Sequence, residues 1–115
     1  MAKRFDDMIS SSARLAILAT LVPGEAIPFT ELKRESGLAD GNLHVQTAKL
    51  AEAGYLESRK GLRGRRQVTE YKLSELGFER FRLFVRQLEA ILDSEAGVIR
   101  PVLAVDRKDD SEVWS

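Results

Sequence analysis

The sequence predicts a mainly α-helical domain that carries one small β-hairpin. Apolar residues recur at helical spacing in four separate segments of the 115-residue chain. The stretch from Tyr55 to Leu73 instead carries β-branched and aromatic residues around two glycines, a pattern typical of a hairpin. The second and third helical segments are separated by a short glycine-bearing turn. This arrangement is typical of a helix-turn-helix.

Length and composition favour one domain with a modest core, since 43% of the residues are hydrophobic. We expect this domain to occupy residues 1–97 and to be followed by a C-terminal tail over 98–115. The absence of cysteine excludes disulfides, thiolate metal sites and thiol nucleophiles. The start MAKRFDDMIS lacks the apolar core of a signal peptide, and no apolar run approaches the ~20 residues of a membrane span. We therefore expect a cytoplasmic protein.

The first two helices are predicted from their caps and stops. Serines 10–12 offer N-caps before the apolar pattern of ARLAILATLV, and Pro23-Gly24 ends that helix. Ile27 precedes a proline and is therefore extended. Thr30 is the predicted cap of the second helix, which Gly37 ends.

The third helix is predicted to begin at the N-cap Asp40 and to end at Gly54. On a helical wheel Leu43, Thr47 and Leu50 share the inner face with Ala51. Thr47 occupies a position where a larger apolar residue is expected. The outer face and its flanks carry Asn42, His44, Val45, Gln46, Lys49 and Glu52.

The hairpin has a local excess of positive charge in a chain that is neutral overall, with eighteen basic and eighteen acidic residues. Gly61 and Gly64 free the backbone for a tight tip. Lysine and arginine neutralise phosphates and release counterions, so we predict that this hairpin meets phosphates. Its cations are Arg59, Lys60, Arg63, Arg65 and Arg66.

The last helix, at about residues 75–96 with Ser74 as its predicted cap, has more apolar surface than one small core requires. Phe78 and Phe81 lie close to the domain and are expected in its core. The apolar residues farther along would leave an exposed patch on a monomer, which favours a dimer interface. The predicted interface residues are Phe84, Leu88, Ile91 and Leu92, with Phe5, Met8 and Ile9 as further contributors.

This order of elements resembles the small stand-alone winged helix-turn-helix transcriptional regulators related to the MarR and ArsR groups. The resemblance covers about residues 5–95. Its most specific parts are LADGNL followed by KLAEAGYLE, and the basic hairpin that closes with YKLSELG. The matching segments are RLAIL at 14–18, FTELKRESGLADGNLHVQTAKLAEAGYLE at 29–57 and GLRGRRQVTEYKLSELG at 61–77.

The resemblance implies a homodimer that binds a pseudo-palindromic operator in double-stranded DNA. The third helix is then expected in the major groove, and the hairpin on the backbone or in the minor groove. It also implies a small-molecule effector as a further partner, and neither a cofactor nor a metal. The implied base-contacting residues are Asn42, His44, Val45, Gln46 and Lys49, and the implied hairpin contacts are Arg59, Lys60, Arg63, Arg65 and Arg66.

Each of these signals also has a purely structural interpretation. The cationic hairpin tip could simply be solvated, and Asn42 could support the helix start. His44 could be a plain exposed side chain, since no metal ligand of the right kind lies near it in the sequence. Arg14, on the first helix, is better explained by an ion pair inside the fold than by a phosphate contact.

Two other classes of function are alternatives to a regulator. A winged helix can also serve as a protein-interaction or architectural module without operator specificity, because a fold alone does not determine function. An enzyme is disfavoured, because the chain has one unsupported histidine, no phosphate-binding glycine loop and no serine in a nucleophile setting.

Overall fold

The computed structural model describes residues 4–94, in which helices and a small antiparallel sheet follow one another in the predicted order. The sheet order is β1-β3-β2, and this is a winged helix fold. The predicted boundary at residue 97 and the tail over 98–115 lie outside the described residues. The elements are α1 Ser12–Leu21, β1 Ile27–Pro28, α2 Phe29–Ser36, α3 Asp40–Glu52, β2 Leu56–Arg63, β3 Arg66–Leu73 and α4 Glu75–Ser94.

The chain divides into two compact units, of which the first ends at Phe84 and the second begins at Val85. The first unit holds every element through the first half of α4. Within the second unit, the described residues 85–94 form the rest of α4. None of the helices within residues 4–94 combines the length and the hydropathy that a bilayer crossing requires.

The core of the first unit is formed by one apolar face from each of the three leading helices, together with the base of the sheet. Burying one large apolar side chain contributes about 1.5–3 kcal/mol, so these residues dominate the stability of the domain. Thr47 is buried among them, and its hydroxyl donates to the Leu43 carbonyl at 2.8 Å. A threonine is therefore accommodated at this inner position because its polar group has a partner. The core residues of the helices are Ile17, Leu18, Leu21, Leu32, Leu43 and Leu50, and those of the sheet are Leu56, Tyr71 and Leu73.

Helix capping follows the prediction at some ends and departs from it at others. Ser11 accepts from the Arg14 backbone N–H, as predicted for α1, and Gly37 ends α2 at φ +77°. The predicted caps of α2 and α3 were wrong. The N-cap of α2 is Pro28, two residues before Thr30, and that of α3 is Ala39, one residue before Asp40; both observed caps are extended. Thr30 therefore lies in the first turn of α2. Asp40 is the first residue of α3, where its carboxylate pairs with Lys33 at 3.0 Å.

The wing, which we define as the hairpin of residues 56–73, is long and tightly connected. Arg63 pairs with Arg66, so only Gly64 and Arg65 connect the two strands. Gly64 has φ +65°, a conformation that glycine adopts without strain. Gly61 lies within β2 opposite Val68 rather than at the tip.

The start of α4 is fixed against the junction between α3 and β2. Ser74 caps α4 as predicted, since its Oγ accepts from the Gly77 backbone N–H at 2.9 Å. The same hydroxyl donates to the Gly54 carbonyl at 2.6 Å. Gly77 is buried, and a Cβ there would overlap the Tyr55 carbonyl oxygen. The glycine is therefore required by close packing rather than by its backbone conformation.

The first half of α4 buries different aromatic residues from those expected. Phe84 is buried and meets Phe5 edge-on at 6.0 Å between ring centroids, and Phe81 packs against the core as predicted. The prediction that Phe78 is a core residue was wrong, because its side chain is 44% exposed. The reason is that Gly77 takes the inward position, and the next residue of a helix points about 100° away.

Three residues that were expected to contribute to a dimer interface are instead placed within the fold of a single chain. Ile9 is completely buried in the core, and Phe5 and Met8 pack against it. Phe84, from the predicted interface set itself, is buried in the same core. The apolar character of these four positions is therefore explained without a second copy of the chain.

Candidate nucleic-acid interface

The outer face of α3 presents polar and cationic side chains that the core does not use. Leu43, Thr47 and Leu50 point inward, and the residues between them point outward. Among the predicted base-contacting residues, Gln46 is half-buried, whereas the other four, Asn42, His44, Val45 and Lys49, are exposed.

Two amides on this face are joined by a hydrogen bond, and one of them is held from α1. Gln46 Nε2 donates to Asn42 Oδ1 at 3.0 Å, across one turn of the helix. Arg14 Nη1 donates to Gln46 Oε1 at 2.7 Å. The expected ion pair of Arg14 was wrong: among the described residues its guanidinium donates instead to neutral oxygens within the fold. The amide of Gln46 is engaged at both ends, and that of Asn42 is the more accessible of the two.

His44 is exposed, but its ring has a specific partner. It stacks on Phe29 at the start of α2, with 4.4 Å between ring centroids and 22° between the ring planes. This contact orients the imidazole beside the exposed face of α3. No group of three potential metal ligands was found in residues 4–94.

On the wing, two of the five predicted cations form ion pairs with the same acidic residue, Glu70, which was not predicted as a partner from the sequence. Antiparallel pairing places Glu70 of β3 directly opposite Arg59. The Glu70 carboxylate accepts from Arg63 Nη2 at 3.0 Å and from Arg59 Nε at 3.1 Å. The hydrogen bond from Arg63, and then that from Arg59, lower the pKa of Glu70 below its usual value. Counting paired strand residues outward from the tip would have placed this acid opposite Arg59.

The other wing cations make no ion pair within residues 4–94. Lys60, Arg65 and Arg66 are all exposed. Arg65 lies in the two-residue connection, and Arg66 faces Arg63 as its partner in the strand register. Because Glu70 balances only one of the neighbouring arginine charges, the tip has an excess of positive charge.

Comparison with known proteins identifies the family. Residues 13–92 match the family model described as the winged helix DNA-binding domain. The chain is also 32% identical over 81 residues to an uncharacterized protein of Methanocaldococcus jannaschii. This alignment covers 70% of the present chain and 88% of the relative.

Solved structures of transcriptional regulators share the fold. A transcriptional regulator homologue from Pyrococcus horikoshii superposes on this chain with a TM-score of 0.70 and 25% sequence identity. The superposition covers 76% of this chain and 86% of that chain. A MarR-like transcription regulator from Bacillus cereus is 18% identical with a TM-score of 0.63, over 82% of this chain and 70% of that chain. At that identity the second similarity shows the fold alone. The family is that of the winged helix DNA-binding domain, and the fold is shared with these transcriptional regulators.

Proposed function

Because this chain belongs to the winged helix DNA-binding domain family, we propose that it is a sequence-specific transcriptional regulator of double-stranded DNA. It acts as a homodimer on a pseudo-palindromic operator, with α3 in the major groove and the wing on the backbone or in the minor groove. The observation that carries this proposal is the set of exposed polar and cationic side chains on α3 and the wing, which the core does not use. Its mechanism is steric, because an occupied operator blocks or reshapes access to a promoter.

Base recognition is assigned to the outer face of α3. Asn42 presents an exposed amide, and an amide can pair with both N6 and N7 of adenine. Val45 is 51% exposed, and an apolar side chain in the major groove can contact the thymine methyl group. His44, Gln46 and Lys49 complete the proposed contact set. These side chains supply both hydrogen-bonding and apolar contacts, as reading of base edges requires.

Affinity is assigned to the wing. Lys60, Arg65 and Arg66 are exposed without an ion pair in the described part of the chain, so their charges are available to phosphates. Arg66 lies opposite Arg63 in the strand register, and because Glu70 pairs with Arg63 and Arg59, a phosphate would supply the counter-charge that Arg66 lacks within residues 4–94. Arg59 and Arg63 can reach phosphates once they leave Glu70. The wing therefore contributes charge that acts on any DNA sequence.

Dimerisation is assigned to the outer part of α4. Leu88 and Leu92 are 43% and 50% exposed, although both are large and apolar. Contiguous apolar surface on a small domain marks an interaction site. A second copy suits this surface because a pseudo-palindromic operator needs two recognition helices related by a two-fold axis. The proposed interface consists of Leu88, Ile91 and Leu92, without Phe84, which is buried in the core of the first unit.

Selection of bound sites from a random pool of duplex DNA tests this proposal. We expect a two-fold symmetric consensus, and we expect the selected duplex to bind more tightly than random duplex at the same salt concentration. Uniform binding with no consensus would contradict the proposal and favour an architectural module. Sedimentation of the free protein tests the dimer separately. The small-molecule effector stays a prediction, which the same binding assay can test by titration of candidate ligands.

A further inference from the structure

Arg14 connects the N-terminal segment of the chain to the outer face of α3. Its Nε donates to the Met8 carbonyl at 2.6 Å, and its Nη2 donates to the Asp7 carbonyl at 3.3 Å. Its Nη1 donates to Gln46 Oε1 at 2.7 Å. Each of its three nitrogens thus has an acceptor, and none of these acceptors is a carboxylate. The planar guanidinium can serve them together because its donors have a fixed geometry.

This arrangement determines how the two amides of α3 are oriented. A free glutamine amide can present either its oxygen or its nitrogen in a given direction. Here the oxygen of Gln46 faces Arg14, so the Nε2 group faces Asn42 and donates to its Oδ1 at 3.0 Å. Asn42 is in turn oriented with its oxygen toward Gln46, and its Nδ2 group is left to donate elsewhere. The orientation of the exposed amide therefore depends on Arg14.

We propose, on the basis of the DNA-binding function proposed above, that Arg14 is a positioning residue for base recognition. It sets the base preference of α3 through Gln46 and Asn42 without touching DNA itself. An Asn42 amide held in this orientation can donate from Nδ2 to adenine N7, while the second lone pair of its Oδ1 accepts from adenine N6–H, which is the bidentate contact that distinguishes adenine from the other bases. Without the Arg14 guanidinium, both amides can rotate, so discrimination at the base that Asn42 contacts falls.

The N-terminal segment is held independently of Arg14, so a change at this position need not unfold the domain. The Asp6 carboxylate accepts from the Met8 backbone N–H at 2.8 Å and from the Tyr55 hydroxyl, and it lies 3.8 Å from Arg80 Nη1. Ile9, next along the chain, is completely buried. These contacts anchor the segment to the start of β2 and to α4.

The experiment compares the consensus selected by the wild-type protein with that selected by Arg14→Lys, Asn42→Ala and the double variant. Lysine keeps the charge but has a single nitrogen, which cannot replace the three donor nitrogens of the guanidinium. We expect Arg14→Lys and Asn42→Ala to lose preference at the same position of each half-site. The affinity ratio between the preferred and the substituted base should fall by about 5- to 150-fold in each variant, the range that one bidentate contact provides. The double variant should lose no more than Asn42→Ala alone.

Control variants separate positioning from folding and from phosphate binding. Arg34→Lys makes the same chemical change on an exposed arginine of α2 that takes no part in the hydrogen bonds between Arg14, Gln46 and Asn42, and it should leave the consensus unchanged. Gln46→Glu still accepts from Arg14 but cannot donate to Asn42, so it should also lose the preference that Asn42 provides. Thermal unfolding of each variant shows that the protein tested is folded.

Each outcome has a distinct meaning. A wild-type protein without any symmetric consensus would contradict the proposed function itself. A wild-type consensus that Asn42→Ala alters, but that Arg14→Lys and Gln46→Glu both retain, would overturn the positioning role and leave the function intact. Arg14→Gln tests direct contact, because a reduced salt dependence of binding with an unchanged consensus would make Arg14 a phosphate ligand and would also overturn the inference.

Discussion

Replacement of Glu70 by glutamine is expected to strengthen DNA binding and to make it more sensitive to salt. The Glu70 carboxylate holds Arg63 and Arg59 against the sheet at 3.0 and 3.1 Å. Its side chain is only 13% exposed, whereas those of the two arginines are 54% and 72% exposed. Glutamine keeps the shape of the side chain but removes the negative charge, so both guanidiniums become available to phosphates.

The size of the effect follows from the number of phosphates gained. Each additional phosphate neutralised steepens the dependence of log affinity on log salt by roughly 0.9. Two wings act in a dimer, so one arginine freed per subunit steepens the slope by roughly 1.8, and both freed steepen it by roughly 3.6. The gain should be similar on operator and on random duplex, because phosphate contacts do not depend on sequence.

Fluorescence anisotropy over a series of salt concentrations measures this slope. Glu57→Gln is the matched control, since it removes the same charge from an exposed residue of β2 that pairs in register with Lys72. A general charge effect would steepen the slope equally in both variants, and that result would refute the release of the arginines. An unchanged slope in Glu70→Gln would show that Arg59 and Arg63 do not reach phosphates even when they are free.

The same carboxylate gives a pH dependence with a defined sign. Hydrogen bonds from Arg63 and then Arg59 lower the pKa of Glu70 in the folded protein. The resulting stabilisation is present above the pKa of glutamate in the unfolded chain and is lost as the pH falls through the lowered value. Urea unfolding at a series of acidic pH values should therefore show a steeper loss of stability in the wild-type protein than in Glu70→Gln. Equal slopes would indicate that the two ion pairs contribute nothing to folding.

Three other changes test the wing, the dimer and the helix junction. Arg65→Ala should reduce the slope of log affinity against log salt by roughly 1.8 for a dimer, on operator and random duplex alike, when binding is measured by anisotropy. An unchanged slope together with a changed consensus in site selection would mean that this residue contacts bases instead. Polar replacement of Leu88 and Ile91 together should weaken association sharply in sedimentation equilibrium, because burial of each side chain is worth about 1.5–3 kcal/mol; a wild-type monomer at micromolar concentration would contradict the interface. Gly77→Ala should destabilise the fold by about 1–3 kcal/mol or more, since its Cβ would overlap a backbone carbonyl. Gly41→Ala is its control. Apart from the adjacent residues and the backbone of its own helix, no atom lies within 4 Å of the added Cβ, so this variant should be more stable by about 0.4–1 kcal/mol when the thermal unfolding of both variants is measured.

The order of elements could be predicted because it depends on local signals. Pro23 and Gly37 end helices through their own backbone preferences, and the apolar spacing of α3 identifies Leu43 and Leu50 as inner residues. The outer residues of α3 follow from the same periodicity. Such signals need no knowledge of the tertiary fold, which is why they predicted the helices, the hairpin and the outer face of α3. The winged helix and its two contact surfaces were implied by the resemblance of this order of elements to a known family.

The partners of the contact residues could not be predicted in the same way. The ion pairs of Glu70 depend on strand register, which the two-residue connection at Gly64 determines. The hydrogen bond from Arg14 to Gln46 joins residues that are far apart in the sequence, and it exists only because α1 packs beside α3. The exposure of Phe78 likewise depends on Gly77, whose role appears only once the helix is packed on the Tyr55 carbonyl.

The two contact surfaces differ in how firmly their side chains are held, and this difference matches their proposed tasks. On α3, Arg14 and Gln46 fix the amide of Asn42 before any DNA is bound. Reading a base edge requires correct direction as well as distance, and a group that is already oriented avoids an ordering cost of about 0.5–1.5 kcal/mol on binding. On the wing, Lys60 and Arg65 have no ion pair in residues 4–94, so nothing of that kind orients them. Phosphate neutralisation depends on proximity of charge more than on orientation, and long mobile cations can follow the backbone of any sequence. We therefore expect substitutions on α3 to change which DNA is bound, and substitutions on the wing to change how tightly all DNA is bound.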